Sequence, residues 1–220
     1  MKRKKALWAG IGLILLFILW TALVRLVDVQ AVGPRGSSVG FAAWNSRFHA
    51  FTGVHMALYT VTDWLGLVPI LICGCFGIIG LNQWIRRKRF FRVDPDILLL
   101  GAYYLLVIAG YLIFEMVPVN YRPVLIDGYL EASYPSSTTL LVLSVMPTLA
   151  LQAVRRCRSR TVRCLAGWFS ALFSAFMVTG RLVSGVHWAT DIIGSVFLSA
   201  GLFLLYCAAV AYCDRKKNEA

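Results

Sequence analysis

The sequence predicts an all-α membrane protein with six transmembrane helices, and three observations support this prediction. Hydrophobic residues make up 59% of the 220 residues, whereas charged residues make up only 15%. A soluble domain is nearer half apolar and a quarter charged, so this chain has too little polar surface to cover a core in water. The apolar residues form stretches long enough to cross a bilayer, and the basic residues lie in short runs between them.

Six stretches qualify as spans, because a hydrocarbon core about 30 Å thick needs roughly 20 helical residues. The second is expected to begin with Thr62-Asp63 as an N-cap, with Trp64 and Trp84 at the two membrane interfaces. The third is expected to begin at Asp94-Pro95, a cap followed by proline at the first helical position. Pro147 is expected to kink the fourth. The six expected spans cover residues 6–24, 62–84, 95–114, 136–154, 164–178 and 188–213.

The basic residues predict the orientation of these spans. Seventeen of the 22 Lys and Arg residues lie before the first span, after the second, between the fourth and fifth, or after the sixth. Cytoplasmic loops carry an excess of Lys and Arg, so both termini are expected in the cytoplasm. The formal net charge of +12 is spread over separate loops, which disfavours nucleic acid as a partner. We expect a multi-pass protein of a bacterial cell membrane, with the bilayer as its partner.

Two features near the N-terminus leave alternatives open. The first apolar stretch could belong to a cleaved signal peptide, with Val29-Gln30-Ala31 imitating a cleavage site, but its length favours a retained anchor. Residues 45–60 could form an interfacial helix on the outer face or the start of a long second helix. We favour the interfacial helix, because Asp63 would sit badly inside a helix at membrane depth. Three regions are expected: two spans with this outer segment (1–94), a core (95–213) and a cytoplasmic tail (214–220).

Neither disulfides nor metals are expected from the sequence. The six cysteines lie inside the spans or toward their cytoplasmic ends, away from an oxidising exterior. No Cys and His spacing resembles a zinc site, and no carboxylate cluster has the spacing of a calcium or magnesium site. We therefore expect no metal and no cofactor.

Polar side chains gather at the outer ends of spans three to six, where His187 and Asp191 provide a possible nucleophile. Residues four apart share one face of a helix. The Asp191 carboxylate can thus accept a proton from one ring nitrogen of His187 and leave the other as a nucleophile or base. Such a pair could equally be structural, but an aspartate one turn into a span is costly unless it has a partner.

Four further residues at the same end predict a phosphate site. Arg122 and Arg181 have no acidic neighbour in sequence, and arginine is the natural bidentate partner of a phosphate. Ser136 and Ser137 begin a predicted helix, where hydroxyls and unpaired N–H groups attract anions. Each feature alone has a simpler explanation, such as a snorkelling arginine or an ordinary helix cap. Their occurrence on one face favours a pocket that binds a phosphoryl group.

These residues resemble the signatures of the type-2 phosphatidic acid phosphatase and vanadium haloperoxidase superfamily. Gly180-Arg181, His187 and Asp191 resemble the third signature, SRxxxxxHxxxD. Tyr121-Arg122-Pro123 resembles the end of the first, KxxxxxxRP, and Pro135-Ser136-Ser137-Thr138 resembles the second, PSGH. The order of the signatures and the six-span layout are similar as well.

The resemblance implies an acid-phosphatase/haloperoxidase-like helical core and a phosphohistidine mechanism on lipid phosphates at the outer leaflet. It implies that His187 attacks phosphorus while Asp191 orients the imidazole. It also implies that Arg122 and Arg181 clamp the phosphate oxygens and that Ser136 donates to them.

The resemblance covers roughly residues 95–213, and three departures from the signatures bear on the chemistry. Glu115 stands at the place of the signature lysine, and Gly180 at that of the serine before the arginine. Thr138 stands at the place of the histidine that protonates the leaving group. A threonine hydroxyl cannot act as a general acid near neutral pH, and such catalysis typically contributes about 10²–10⁴-fold.

The missing histidine leaves three hypotheses. The substrate could be a lipid pyrophosphate, such as a polyprenyl pyrophosphate, whose phosphate leaving group needs no proton. Another group could replace the acid, with Glu115, His49 and His55 as candidates. The protein could also be a non-catalytic relative that binds or moves lipid phosphates. An unrelated transporter or scaffold fits less well, because transporters usually bind at the midplane between repeated halves.

Overall fold

The computed structural model describes residues 2–219, and its regular structure within that range is helical, as predicted. Eight α-helices follow one another in that range: α1 (Lys2–Leu26), α2 (Ala42–Thr52), α3 (Met56–Leu65), α4 (Leu67–Arg87), α5 (Pro95–Met116), α6 (Ser137–Arg156), α7 (Arg160–Val183) and α8 (Ala189–Glu219). Six helical stretches of the described chain are long and apolar enough to cross a membrane, which confirms the predicted number: Lys4–Leu26, Met56–Arg87, Pro95–Met116, Ser137–Arg156, Arg160–Val183 and Ala189–Lys216.

The helices run past their predicted ends wherever charged residues follow the apolar stretch. Arginines extend α6 to Arg156 and open α7 at Arg160, where the Ser159 hydroxyl accepts a bond from the N–H of Val162 at 3.4 Å. The last helix continues to Glu219. Lys and Arg are good helix formers, so a helix can end outside the hydrocarbon and still keep its backbone hydrogen bonds.

The start of the second span differs from the prediction. Thr62 and Asp63 lie inside α3, and the Thr62 hydroxyl donates to the carbonyl of Leu58 at 2.9 Å, as within a helix. The chain turns at Gly53, with φ 70°, rather than at Thr62. The predicted N-cap is therefore wrong, and residues 45–60 are divided between α2 and the beginning of the span. Asp63 is tolerated there because Arg181 of α7 lies 3.5 Å from its carboxylate.

The first and last helices pack closely and antiparallel. A Cβ placed on Gly201 of α8 would lie 2.8 Å from Cδ1 of Ile14 in α1, so a side chain there would force the helices apart. Farther along α1, the Trp20 indole N–H donates to the carbonyl of Thr190 at 3.1 Å. The start of α8 is thus fixed against the end of α1, and the beginning of α1 and the end of α8 lie at the same end of the bundle.

Ion pairs join the helices at that end, which we call the basic end. Asp94, the predicted N-cap of α5, lies 2.8 Å from Arg87 and 3.2 Å from Arg156 and makes no side-chain cap. Asp96 lies 2.9 Å from Arg156 and 3.2 Å from Arg155, which also pairs with Asp214 at 2.8 Å. Exposed pairs contribute up to about 1 kcal/mol each, and this network joins α4, α5, α6 and α8.

At the opposite end, two turns pack backbone against backbone. The Gly185 φ is +69°, and a Cβ there would lie 2.0 Å from the carbonyl oxygen of Gly53. The N–H of His55 donates to the carbonyl of Ser184 at 2.9 Å. Only glycine fits position 185, and the contact holds the start of α3 beside the turn that carries His187.

Candidate active site

His187 lies in the turn between α7 and α8, and its side chain is buried against the loop before α6. Its Nδ1 lies 3.1 Å from the carbonyl oxygen of Ser133. A carbonyl only accepts hydrogen bonds, so Nδ1 carries the proton and Nε2 keeps its lone pair. Nε2 is buried without a hydrogen-bond partner in the described structure, and the ring lines a cavity of about 210 Å³. A ring nitrogen without a partner, on a side chain that lines a cavity, can act as a nucleophile.

Asp191 sits close to His187 but does not hydrogen bond to its ring. Its Oδ2 lies 3.8 Å from Nδ1 of His187, which is an ion-pair distance, and accepts the N–H of Trp188 at 2.9 Å. Its Oδ1 accepts a bond from the amide of Asn120 at 3.3 Å. The carboxylate holds the turn at the start of α8, while the hydrogen bond that orients the imidazole comes from Ser133. Sequence spacing alone suggested a direct bond between Asp191 and the ring.

The two predicted arginines come together around an aromatic ring. Arg181 is 1% exposed and Arg122 is 8% exposed. Their guanidinium carbons lie 4.9 Å and 5.9 Å from the ring centre of Tyr59 in α3, within cation–π distance. Each arginine also has a carboxylate neighbour: Asp63 lies 3.5 Å from Arg181, and Glu131 lies 3.0 Å from Arg122.

Each arginine of this pair has a buried donor without a partner. Nη1 of Arg122 and Nε of Arg181 are buried and make no hydrogen bond within the described structure, whereas Nε of Arg122 lies 3.0 Å from the Glu131 carboxylate. Buried polar groups are normally hydrogen bonded, so unpaired guanidinium N–H groups beside a cavity indicate a place for an anion. The arginines can therefore bind phosphate oxygens.

The surroundings of His187 keep its imidazole neutral. Burial, followed by the positive charges of Arg122 and Arg181, holds the pKa of His187 well below its usual value of 6.5. A neutral ring with a free Nε2 is the reactive form of a histidine nucleophile. The same arginines that can bind a phosphate thus also hold the histidine in its nucleophilic state.

Two of the three predicted residues at the start of α6 line a cavity. The backbone N–H of Ser136 lies 3.4 Å from the carbonyl of Asp191, and its hydroxyl is buried without a partner. Ser137 lines the 210 Å³ cavity, as does Glu115. Thr138 instead lines a neighbouring cavity of about 360 Å³.

The second cavity lies between α4, α5 and α6 and is mainly apolar. Tyr111 and Ser137 line both cavities, so the two are adjacent. The lining of the second cavity includes Asp63 and Thr138 together with aliphatic side chains such as Leu67 and Val107. A polar pocket with an apolar neighbour suits a ligand with a charged head and an apolar tail.

Four functional neighbours were not identified from the sequence: Tyr59, Asp63, Glu131 and Ser133. Asp63 was interpreted as a helix cap, although an acidic residue within a span already indicates a functional partner. Ser133 contributes only its carbonyl, which no sequence pattern marks. The histidines His49 and His55 have their Nε2 atoms 3.0 Å and 2.9 Å from the carbonyls of Gly185 and Thr52. Across the described residues, no group of three or more His, Cys, Asp or Glu side chains is arranged to hold a metal.

Known proteins similar to this chain include a phosphatase structure. The crystal structure of a transmembrane PAP2-type phosphatidylglycerolphosphate phosphatase from Bacillus subtilis matches with a TM-score of 0.55 and 20% identity. The match covers 95% of this chain and 97% of that one. No curated protein matches the sequence significantly. A sequence model of the PAP2 superfamily matches residues 97–215, more than half of the chain and all of the predicted signatures. The chain therefore belongs to the PAP2 superfamily, which confirms the resemblance seen in its sequence.

Proposed function

We propose that the protein is an integral-membrane lipid phosphatase that hydrolyses a phosphorylated lipid through a phosphohistidine on His187. One observation carries the proposal: buried His187, whose Nε2 has no hydrogen-bond partner in the described structure, lines the same cavity as Arg122, and Arg181 shares the Tyr59 ring with Arg122. Membership of the PAP2 superfamily supports a phosphatase function. The Bacillus subtilis neighbour is described as a phosphatidylglycerolphosphate phosphatase, which agrees with a lipid phosphate as substrate.

The reaction proceeds in two displacements at phosphorus. Arg122 and Arg181 bind the non-bridging oxygens and neutralise the charge that develops on them. Nε2 of His187 forms a bond to phosphorus, and the bond to the leaving oxygen breaks, with its electron pair going to that oxygen. Water then attacks the phosphohistidine, the P–N bond breaks, and phosphate leaves. Ser136, at the start of α6, donates a hydrogen bond to the phosphate.

The lipid tail lies in the apolar cavity between α4, α5 and α6. This cavity of about 360 Å³ adjoins the polar cavity at Tyr111 and Ser137. A lipid can therefore place its phosphate beside His187 without leaving the bilayer. By the distribution of basic residues, the site faces the outside of the cell membrane and both termini face the cytoplasm.

A lipid pyrophosphate should be the better substrate. Its leaving group departs as a stable phosphate anion, whereas an alkoxide must be protonated and Thr138 cannot supply the proton. We expect kcat/KM for a polyprenyl pyrophosphate to exceed that for phosphatidic acid, because the pyrophosphate needs no proton donor and phosphatidic acid depends on a donor other than Thr138. Phosphate release from both lipids, in the same detergent at equal concentration, measures the ratio. Faster cleavage of phosphatidic acid would refute the preference.

The pH dependence should reflect the neutral His187. Its pKa is depressed, so the free enzyme loses its nucleophile only when the pH falls well below 6.5. Replacing Arg122 with Gln removes one positive charge, which raises the pKa of His187 and moves the acid limb of kcat/KM to higher pH. The pH profiles of kcat/KM for the wild type and Arg122→Gln, measured with the same substrate, check this. The ionisation of the substrate affects both profiles equally. An acid limb that moves to lower pH would contradict it.

A second candidate function is binding or movement of lipid phosphate without hydrolysis. Two observations favour this function. Thr138 stands at the place of the signature histidine, and Arg122 and Arg181 each lie beside a carboxylate. This function predicts that lipid-phosphate affinity survives His187→Ala but falls with Arg122→Ala or Arg181→Ala. Phosphate release from the wild type that is lost in His187→Ala decides for the phosphatase.

A further inference from the structure

Helix α3 borders the site but lies outside the residues that match the family, 97–215. Tyr59, Thr62 and Asp63 are spaced three and four apart, so they share one face of the helix. The Tyr59 ring faces both guanidinium groups at 4.9 Å and 5.9 Å, and Asp63 lies 3.5 Å from Arg181. This segment therefore contributes side chains directly to the phosphate-binding arginines.

Two of the three departures from the signatures face this same segment. A Cβ on Gly180, where the signature has serine, would lie 2.7 Å from Cγ2 of Thr62. Restoring the serine would require the Thr62 side chain or α3 to shift. On the other side, a Cβ on Gly66 would lie 3.7 Å from Cγ2 of Thr138, where the signature has histidine. The end of α3 is in contact with both altered positions.

The cavity next to the phosphate site needs a proton donor if its occupant leaves as an alcohol. Asp63 and Thr138 line this 360 Å³ cavity together, and Asp63 is the carboxylic acid among its lining residues in the described chain. The alternative donors suggested by the sequence are less well placed. Glu115 lines the phosphate cavity and is not part of the lining of the cavity of Thr138, and His49 and His55 have their Nε2 atoms against backbone carbonyls.

We propose that Asp63 delivers the proton to the leaving oxygen, in the place of the signature histidine, and so determines how well monoesters are used. This inference rests on the proposed phosphatase function. A phosphate that binds Arg181 takes over the partner of Asp63 and places a second anion beside it. A monoester bound as its monoanion carries the proton that Asp63 passes to the leaving oxygen.

The proposed step balances in atoms and electrons. Nε2 of His187 bonds to phosphorus, the bond from phosphorus to the lipid oxygen breaks, and that oxygen takes the electron pair and the Asp63 proton to become an alcohol. In the second half, the Asp63 carboxylate accepts a proton from the attacking water. The P–N bond then breaks, its electron pair returns to Nε2, and inorganic phosphate is released.

A comparison of the variant Asp63→Asn with the matched control Glu131→Gln tests this role. Both changes remove a carboxylate paired with a phosphate-binding arginine, but only Asp63 is assigned a proton. We expect Asp63→Asn to lower kcat for phosphatidic acid by about 10²-fold or more, while kcat for a polyprenyl pyrophosphate changes only a few-fold. Glu131→Gln should change both substrates by the same factor, and Asp63→Glu should recover part of the monoester rate. Equal losses on both substrates in Asp63→Asn, or no loss, overturn the proposal.

Thr138→His gives a second test that leaves Asp63 in place. If Asp63 already donates the proton, a histidine at position 138 raises the monoester rate less than about 10-fold; a rise of about 10²-fold means that the site lacks a donor and overturns the proposal. The variant His187→Asn separates the role of Asp63 from the phosphatase mechanism on which that role rests. Unchanged phosphate release in His187→Asn overturns the proposed phosphohistidine mechanism, whereas its loss together with equal Asp63→Asn effects overturns only the role of Asp63.

Discussion

Replacing His187 with Asn should reduce phosphate release by on the order of 10⁴-fold or more. Asparagine can still donate from its amide to the carbonyl of Ser133, which lies 3.1 Å from Nδ1 of the histidine. It has no atom in the place of Nε2, so the bond to phosphorus cannot form. The expected loss is therefore in kcat, with little change in the binding of substrate.

Three measurements separate this loss of chemistry from a loss of structure. The first is kcat with a lipid phosphate that the wild type cleaves. The second is rapid quenching with substrate labelled on phosphorus, which should trap an acid-labile phosphoprotein in the wild type and none in His187→Asn. The third is thermal unfolding, which should change little. A variant that keeps more than about a tenth of the wild-type kcat would show that His187 is not the nucleophile.

Replacing Arg181 with Lys should lower kcat/KM by about 10²–10³-fold, because Arg181 contributes geometry as well as charge. Its guanidinium is 1% exposed and is held between the Tyr59 ring and Asp63. A lysine keeps the positive charge but lacks the planar pair of N–H groups that binds two phosphate oxygens at once. Vanadate, which imitates the transferring phosphoryl group, should inhibit the variant more weakly by a similar factor.

Arg35→Lys provides the matched control for this change. Arg35 lies at the same end of the bundle, and its Nη2 donates to the carbonyl of Gly128 at 3.0 Å on the exposed surface. The same chemical change there should leave kcat/KM and vanadate inhibition within about two-fold of the wild type, as expected for an exposed site. Equal effects of Arg35→Lys and Arg181→Lys would mean that Arg181 does not bind the phosphoryl group.

The sequence alone predicted that the site lies in a bundle of transmembrane helices. Apolar stretches of about 20 residues must become helices in a bilayer, because every backbone polar group needs an internal partner there. Polar residues within such stretches stand out, since the membrane tolerates them only with partners. His187, Arg122 and Arg181 were found for this reason, and the structure brings their side chains around one site.

The contribution of α3 to the site could not be predicted from the sequence in this way. Arg181 and Asp63 are 118 residues apart, and their contact depends on how α3 and α7 are rotated toward each other. In a membrane bundle, the surface that faces lipid is as apolar as the surface that faces another helix, so the pattern of apolar residues does not reveal that rotation. Asp63 was consequently interpreted as the cap of the second span, although it lies one turn from the site's aromatic ring.

The amino-acid sequence by itself determined the six spans, the end of the bundle where the polar residues gather, and the departures at Glu115, Thr138 and Gly180. These follow from local composition and spacing, which act along the chain. Only the tertiary structure decided which groups meet the imidazole and the guanidiniums: the carbonyl of Ser133 rather than the Asp191 carboxylate, and a helix from outside the family core. The reason is physical, because these contacts depend on close packing between helices that are distant in sequence.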